Sequence, residues 1–387
     1  MEILGYERPD GRVGIRNHVA VIYTVDCARV AAEKIARSVK GAQVFGWPGC
    51  YFSDLAFQKM ASLGQHPNVA AVLVVGLGCE HMDYCLLRDE IARSGKPVEL
   101  LLVQDEGGTL KTAEKGARIV EKLSQYSFTV PRKRIGIEDL IVGAECGGSD
   151  ATSGLAANPA VGAFADLLVQ AGGTMIVEEP GELLGTEEAL AARAATPEVG
   201  QEVIRTIRAW HAHSREVGYF YIGPGNVDGG LTTIEEKSAG ALAKSGSSPL
   251  MGVLRGGEIP SGKGLYLLST DRVAKPIPGV EKRATNVGLD HGGDPKGVVW
   301  LISSGAHVVL FTTGRGSPTG CVVSPVIKVC GNPVTYRRME DNMDINAGAI
   351  IEGEKTVAEV GREIFDEVLA VANGKLTKPE LLGHDEY

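Results

Sequence analysis

No apolar run in the 387-residue chain is long enough to span a bilayer, and Met1-Glu2-Ile3-Leu4 does not begin a secretory leader. The expectation is a cytoplasmic protein with no membrane partner. No basic block is present and the formal net charge is −9, which argues against a nucleic-acid partner. There are seven cysteines, an odd number, and none forms a Cys-x-x-Cys pair, so a disulfide framework is not what holds the fold. No complete Gly-x-Gly-x-x-Gly opens a helix after a strand, which disfavours a nicotinamide dehydrogenase. Gly314-Arg-Gly-Ser317 lacks the Gly-Lys-Ser/Thr end of a phosphate-binding P-loop.

What is abundant is glycine, 51 residues, much of it in turns that follow apolar runs. With 44% hydrophobic and 22% charged residues, the chain is an ordinary globular one with loop-built functional sites. Apolar runs at 19–25, 42–45, 69–75 and 99–103 alternate with helical segments, as a parallel doubly wound sheet requires. After a polar linker at 124–134, further runs at 139–142, 173–177, 307–311 and 326–330 repeat the pattern. The fold class expected is α/β, with two doubly wound, mainly parallel Rossmann-like lobes. Their boundaries are 1–130 and 131–387, the second with a loop-rich insertion around 218–296. The active site belongs at the carboxyl ends of the strands.

The chain is organised around Glu145-Cys146-Gly147-Gly148-Ser149-Asp150, which puts a thiol, a hydroxyl and a carboxylate at one strand tip beside glycines that can expose N–H groups to an anion. Cys27, Cys79, Cys146 and Cys321 each follow an apolar run and a turn. Thiolates so placed suit a soft or borderline metal, with Fe(II) the leading candidate and an iron–sulfur cluster the alternative. Buried small hydrophobes are the competing reading. Acids at tips are Glu80, Glu145, Asp150, Glu178 and Glu179; neighbours in extended chain point opposite ways, so one of Glu178 and Glu179 is expected to face the site. His18, His81 and His291 are secondary candidates. The cations are Arg16, Lys237 and Arg315, the last held between glycines and followed by Ser317.

Gly5-Tyr-x-Arg-x-Asp-Gly-Arg-Val-Gly-Ile-Arg-Asn17, Val75-Gly-Leu-Gly-Cys-Glu80, Cys146-Gly-Gly-Ser-Asp150, Ala157-Asn-Pro159, Gly229-Gly-Leu-Thr-Thr-Ile-Glu-Glu-Lys-Ser238, Phe311-Thr-Thr-Gly-Arg-Gly-Ser317 and Tyr336-Arg-Arg-Met-Glu340 together resemble the altronate/galactarate dehydratase family over nearly the whole chain. The resemblance implies an Fe(II)-dependent lyase acting on a small anionic 2-hydroxy acid. It also implies a SAF-type small domain, here expected from a separate subunit. Arg16, Asp150, Glu179, Lys237 and Arg315 are the expected catalytic residues, with an acid or Lys237 as base and Arg16 or Arg315 on the anion. Asn17, Gly147, Gly148, Ser149 and Ser317 are expected to bind substrate. Two segments depart from the sugar-acid type, Phe45-Gly-Trp-Pro-Gly-Cys50 and Tyr221-Ile-Gly-Pro-Gly-Asn226, and so does 269–294. Loss of polyol-reading positions favours a three-carbon substrate, 3-sulfolactate, split to pyruvate and sulfite, with Lys263, Arg272, Arg283 and Lys296 as candidate sulfonate contacts. Altronate dehydration is the rival, and a non-catalytic carboxylate-binding protein the third reading.

Overall fold

The alternation of apolar runs and helices is realised in a computed structural model, which describes residues 2–51, 53–218, 221–273 and 293–387. The chain opens with β1 (Ile3–Glu7) and β2 (Val13–Gly14), an antiparallel pair. Next come β3 (His18–Tyr23), β4 (Ala42–Gly46), β5 (Val69–Gly76) and β6 (Val98–Leu102), which form a parallel sheet in the order β4-β3-β5-β6. β5 is buried along its whole length, as its continuous Val-Ala-Leu character demands of a strand covered on both faces. β7 (Arg132–Ile135) then returns to pair antiparallel with β1.

The second sheet is parallel throughout. It contains β8 (Ile141–Cys146), β9 (Thr174–Val177), β10 (Leu250–Gly256), β11 (Gly264–Val273), β12 (Val308–Thr313), β13 (Val326–Cys330) and β14 (Ile345–Asn346), in the order β10-β11-β9-β8-β12-β13-β14. From β8 the chain winds outward through β9 to β10 on one side and, from β12, outward to β14 on the other. The direction reverses between β8 and β12, and a doubly wound sheet opens its ligand crevice at such a reversal. The two lobes share a core: Phe45, Phe57 and Leu63 pack in one cluster with Trp300, Phe311 and Val326.

Two local expectations are corrected. The segment 124–134 is not a linker: the helix Thr109–Thr129 runs through most of it and β7 follows. The charged opening 5–12 holds the end of β1 and then turns at Pro9-Asp10-Gly11, where Gly11 N–H donates to the Arg8 carbonyl at 2.9 Å. The region 245–273 is not loop-rich. It supplies β10 and β11, whose Gly252, Arg255 and Gly264 interrupt the apolar pattern that marks a buried strand. His291, Arg283 and most of 269–294 lie outside the described residues, as does the Arg272 side chain.

Candidate active site

At the β8–β12 reversal lies a cavity of about 320 Å³, walled by the Cys146–Ser149 loop, the segment Glu178–Glu182, Tyr221, Asn226, Lys237, Asp294 and two tryptophans, Trp210 and Trp300. The loop bends because Gly148 takes φ +57. Gly147 is demanded by space: a Cβ there would sit 1.9 Å from Asp294 Oδ2 and 2.5 Å from Phe311 Cζ. Asn226 anchors the loop, donating Nδ2 to the Ser149 carbonyl at 2.8 Å. Among the described residues, the Gly148 and Ser149 N–H groups meet no acceptor in the chain, so this turn presents free donors to the cavity.

Glu179 has φ +73, the one non-glycine residue in the left-handed region among those described. That conformation costs about 1–3 kcal/mol and survives only where the surroundings impose it. Here the imposing contacts are the buried Lys244, whose Nζ lies 2.5 Å from Glu179 Oε2, and the Cys146 N–H, which donates to the same oxygen at 3.1 Å. The left-handed residue also breaks the in–out alternation, so Glu178 and Glu179 both line the cavity and the expectation that only one would is overturned.

The charges form a compact set. Lys237 Nζ lies 2.5 Å from Glu182 Oε1 and donates to the Tyr221 carbonyl at 2.9 Å. Burial disfavours the charge on Lys237 and Lys244, but the surrounding carboxylates outweigh it and hold both ammonium groups above their usual range. Lys237 is therefore a fixed cation in this site and not the base. The acids move the other way. Burial, then the Glu179 charge, pushes Glu178 up to about 8 and Glu182 up to about 7. Glu145, buried with Oε2 unpartnered, is raised well above the carboxylate range by burial and by Glu179 and Glu178. Asp294 is raised by burial and then by Glu182. Carboxyls raised in this way hold their protons to higher pH than ordinary acids, and a pocket crowded with acids becomes better able to admit an anion.

The other expected residues are distributed as follows. Gly147, Gly148, Ser149, Glu179 and Lys237 meet at the cavity. Asp150 does not line it: its carboxylate accepts from Thr152 N–H at 2.8 Å, the Thr152 hydroxyl at 2.5 Å and Asn332 Nδ2 at 2.9 Å, which ties the loop to the turn after β13. Arg315 is exposed, its N–H donating to the Gly148 carbonyl at 2.8 Å, with no ion pair among the described residues. It is a free cation beside the glycine loop. Ser317 shares a hydrogen bond with Thr319 at 3.0 Å and stands off the cavity wall. Arg16 is removed from the site. It bonds Glu380 at 2.8 Å and the Val371 and Lys375 carbonyls at 2.9 Å each. Asn17 is bound between Arg8 and the Ser127 carbonyl. Both are buckles between the opening segment and later helices. Lys263 bonds the Glu138 carbonyl, away from the cavity, and Trp47 donates to the Tyr51 carbonyl in the first lobe.

Lys244, Glu182, Asp294 and Trp300 join the site without a local motif that marks them. Lys237 and Lys244 are seven residues apart on and just after the helix Ile234–Ala243, two turns along one face, and that spacing was the available signal.

The four expected metal thiols do not converge. Cys146 lies in the cavity wall, 2.7 Å from the Ser149 hydroxyl, and burial pushes its thiol up to about 11. Cys321 is buried elsewhere and likewise up to about 11, while Cys27 and Cys79 are exposed in the first lobe. Among the described residues no three His, Cys, Asp or Glu side chains gather as a single ion requires. The set Cys27, Cys79, Cys146 and Cys321 thus does not fit one metal ion, and no step below is routed through it.

Fold and pocket together define an α/β protein whose strand-end cavity sets buried carboxyls against ammonium groups, an arrangement that concentrates at active sites. The model of the D-galactarate/altronate dehydratase C-terminal region matches residues 137–387, and that of the D-galactarate dehydratase/altronate hydrolase second domain matches residues 5–127. The chain belongs to the D-galactarate/altronate dehydratase family, and it is an enzyme of the lyase class. It is 34% identical to the (2R)-sulfolactate sulfo-lyase subunit beta of Chromohalobacter salexigens, over 99% of this chain and 96% of that one. It is 31% identical to the altronate dehydratase of Bacillus subtilis, over 97% and 75%. With the galactarate dehydratase (L-threo-forming) of Escherichia coli it shares 32% identity over 96% and 72%. No helix among the described residues is long and apolar enough to cross a membrane.

Proposed function

We propose that the chain is the large, catalytic subunit of a two-subunit lyase that converts (2R)-3-sulfolactate to pyruvate and sulfite in the cytoplasm. The observation that carries the reaction type is the pairing, in one cavity, of a carboxyl near neutrality, Glu178, with the fixed cation Lys237 and the free N–H groups of Gly148 and Ser149. The substrate carboxylate is held by those N–H groups and Lys237, and Arg315 attracts the sulfonate at the loop edge. Glu178, in its ionised form, takes the proton from C2. The C2–H electron pair becomes the C2–C3 double bond as the C3–S bond breaks and sulfite leaves with its electrons. The enol gains a proton at C3 and loses one from its hydroxyl, which gives pyruvate. Glu145, protonated beside Glu178, is placed to return the proton.

The sulfolactate reading is supported by the relative of that activity, which aligns over 96% of its length and is itself named as a beta subunit. Tyr221, which lies against Gly181 and narrows the pocket, also favours a short substrate. A SAF-type small subunit is the proposed partner. The cytoplasm is supported by seven unpaired cysteines, which an oxidising compartment would not leave free. Altronate dehydration is the second reading, favoured by the relatives named as dehydratases. The test is an assay of the chain, alone and with the small subunit, on both substrates. Sulfite and pyruvate from sulfolactate are expected; a 2-keto-3-deoxy acid from altronate without sulfite release would sink the assignment.

A further inference from the structure

The first lobe carries a second constellation that the cavity does not use. In its parallel sheet, Tyr23 is in register with Gly46 of β4 and with Val75 of β5. Four residues beyond each of these three positions stands a cysteine: Cys27, Cys50 and Cys79. Three neighbouring strands therefore each lead to a thiol at the same sheet end, in the order Cys50, Cys27, Cys79. All three are exposed. Cysteine is among the most consistently buried residue types, and three exposed at matched positions are not packing filler.

The tips are tied laterally. Asp26 N–H donates to the Pro48 carbonyl at 3.2 Å, joining the Cys27 and Cys50 turns. The loop after β5 crosses to the far strand of the three, so that His81 N–H donates to the Cys50 carbonyl at 3.0 Å. That crossing folds the row toward a triangle, because it brings the Cys79 turn onto the Cys50 turn. Glu80 fixes the loop from inside: its carboxylate accepts from Leu77 N–H at 2.9 Å, Gly78 N–H at 2.7 Å and the Thr24 hydroxyl at 2.5 Å. Adjacent strands lie about 4.8 Å apart, too wide for three thiolates to close on one small ion without distortion, in keeping with the lack of a single-ion site. A cluster of several irons bridged by sulfide is broader and is held by thiolates alone.

We infer that Cys27, Cys50 and Cys79 bind an iron–sulfur cluster at the first-lobe strand tips, three thiolates to one cluster, so that one iron lacks a cysteine ligand. Cys146 and Cys321 take no part. The inference does not depend on which hydroxy acid is the substrate, and its test reads the cluster and not turnover. The whole chain is purified without oxygen, reconstituted with ferrous iron and sulfide, and analysed for iron, acid-labile sulfide, broad visible absorbance and the electron paramagnetic resonance signal after reduction. Comparable amounts of iron and sulfide with visible absorbance are expected. Cys27→Ser, Cys50→Ser and Cys79→Ser should each remove most of that absorbance, while Cys85→Ser and Cys321→Ser keep it. Near-ultraviolet circular dichroism checks that each variant is folded. No sulfide retained, zinc alone bound tightly, or an unchanged spectrum in folded Cys50→Ser would each overturn the assignment.

Discussion

Replacing Lys244 tests whether the strained carboxylate is held in place by a buried charge. Lys244 has a side-chain exposure of 1% and Glu179 of 11%, and the two are 2.5 Å apart. In Lys244→Met the hydrophobic stem is kept and the charge removed, which leaves Glu179 buried, in a left-handed backbone and short of its main partner. Breaking one side of a buried pair costs about 3–5 kcal/mol. The Cys146 N–H still donates to Glu179, which argues for the lower end of that range. Urea unfolding of the single variant, of Glu179→Gln and of the double variant closes a cycle. The double variant is expected to lose less than the sum of the singles, with a coupling of about 2 kcal/mol or more, within the range seen for residues in one network. Activity should fall in both single variants, because the Glu178–Glu179 turn relaxes. A Lys244→Met loss under about 1 kcal/mol, or strictly additive singles, would refute the view that this pair imposes the Glu179 conformation.

Glu178 gives a pH prediction. The folded carboxyl titrates at about 8 against an ordinary value of 4.5, so kcat should rise as pH climbs toward 8, and Glu178→Gln should lower it by roughly 10²–10⁴-fold. The folded chain binds the extra proton across that window, so Glu178 adds a decline in unfolding free energy from about pH 4.5 to about 8; denaturant titrations of the variant should show a shallower decline, the remainder coming from Glu182 and Glu145. Arg16→Gln should destabilise the chain by about 2–4 kcal/mol while KM stays within about twofold, whereas Arg315→Gln should raise KM with little change in unfolding, a contrast that steady-state kinetics and thermal melts resolve together. Gly147→Ala should cost about 1–3 kcal/mol and disturb substrate binding, since its Cβ overlaps Asp294 and Phe311; unchanged melting would show that the loop yields freely.

The sequence by itself determined the parallel α/β class and the strand tip on which the cavity is built. Continuous apolar runs such as Val69–Gly76 can only be strands covered on both faces, and Cys146-Gly-Gly-Ser after such a run can only be a tight, donor-rich turn. It also marked Lys237 and Glu179. What it did not determine was which tips meet. Cys27, Cys79, Cys146 and Cys321 share one local pattern, yet sheet order sends two to the first lobe, one to the cavity wall and one beneath a different loop. Arg16 reads as a ligand cation because its motif is polar and glycine-rich; only folding brings Glu380 and two helix-end carbonyls onto it, more than 350 residues along the chain. Glu179 shows the same division within a single residue. Alternation lets only one of Glu178 and Glu179 face the site, and a lysine 65 positions later helps bring both to it by holding Glu179 in a backbone conformation that no local propensity favours. Local chemistry follows from periodicity and turn type, which are properties of short segments. Convergence follows from strand order and register, which the hydrophobic pattern leaves open.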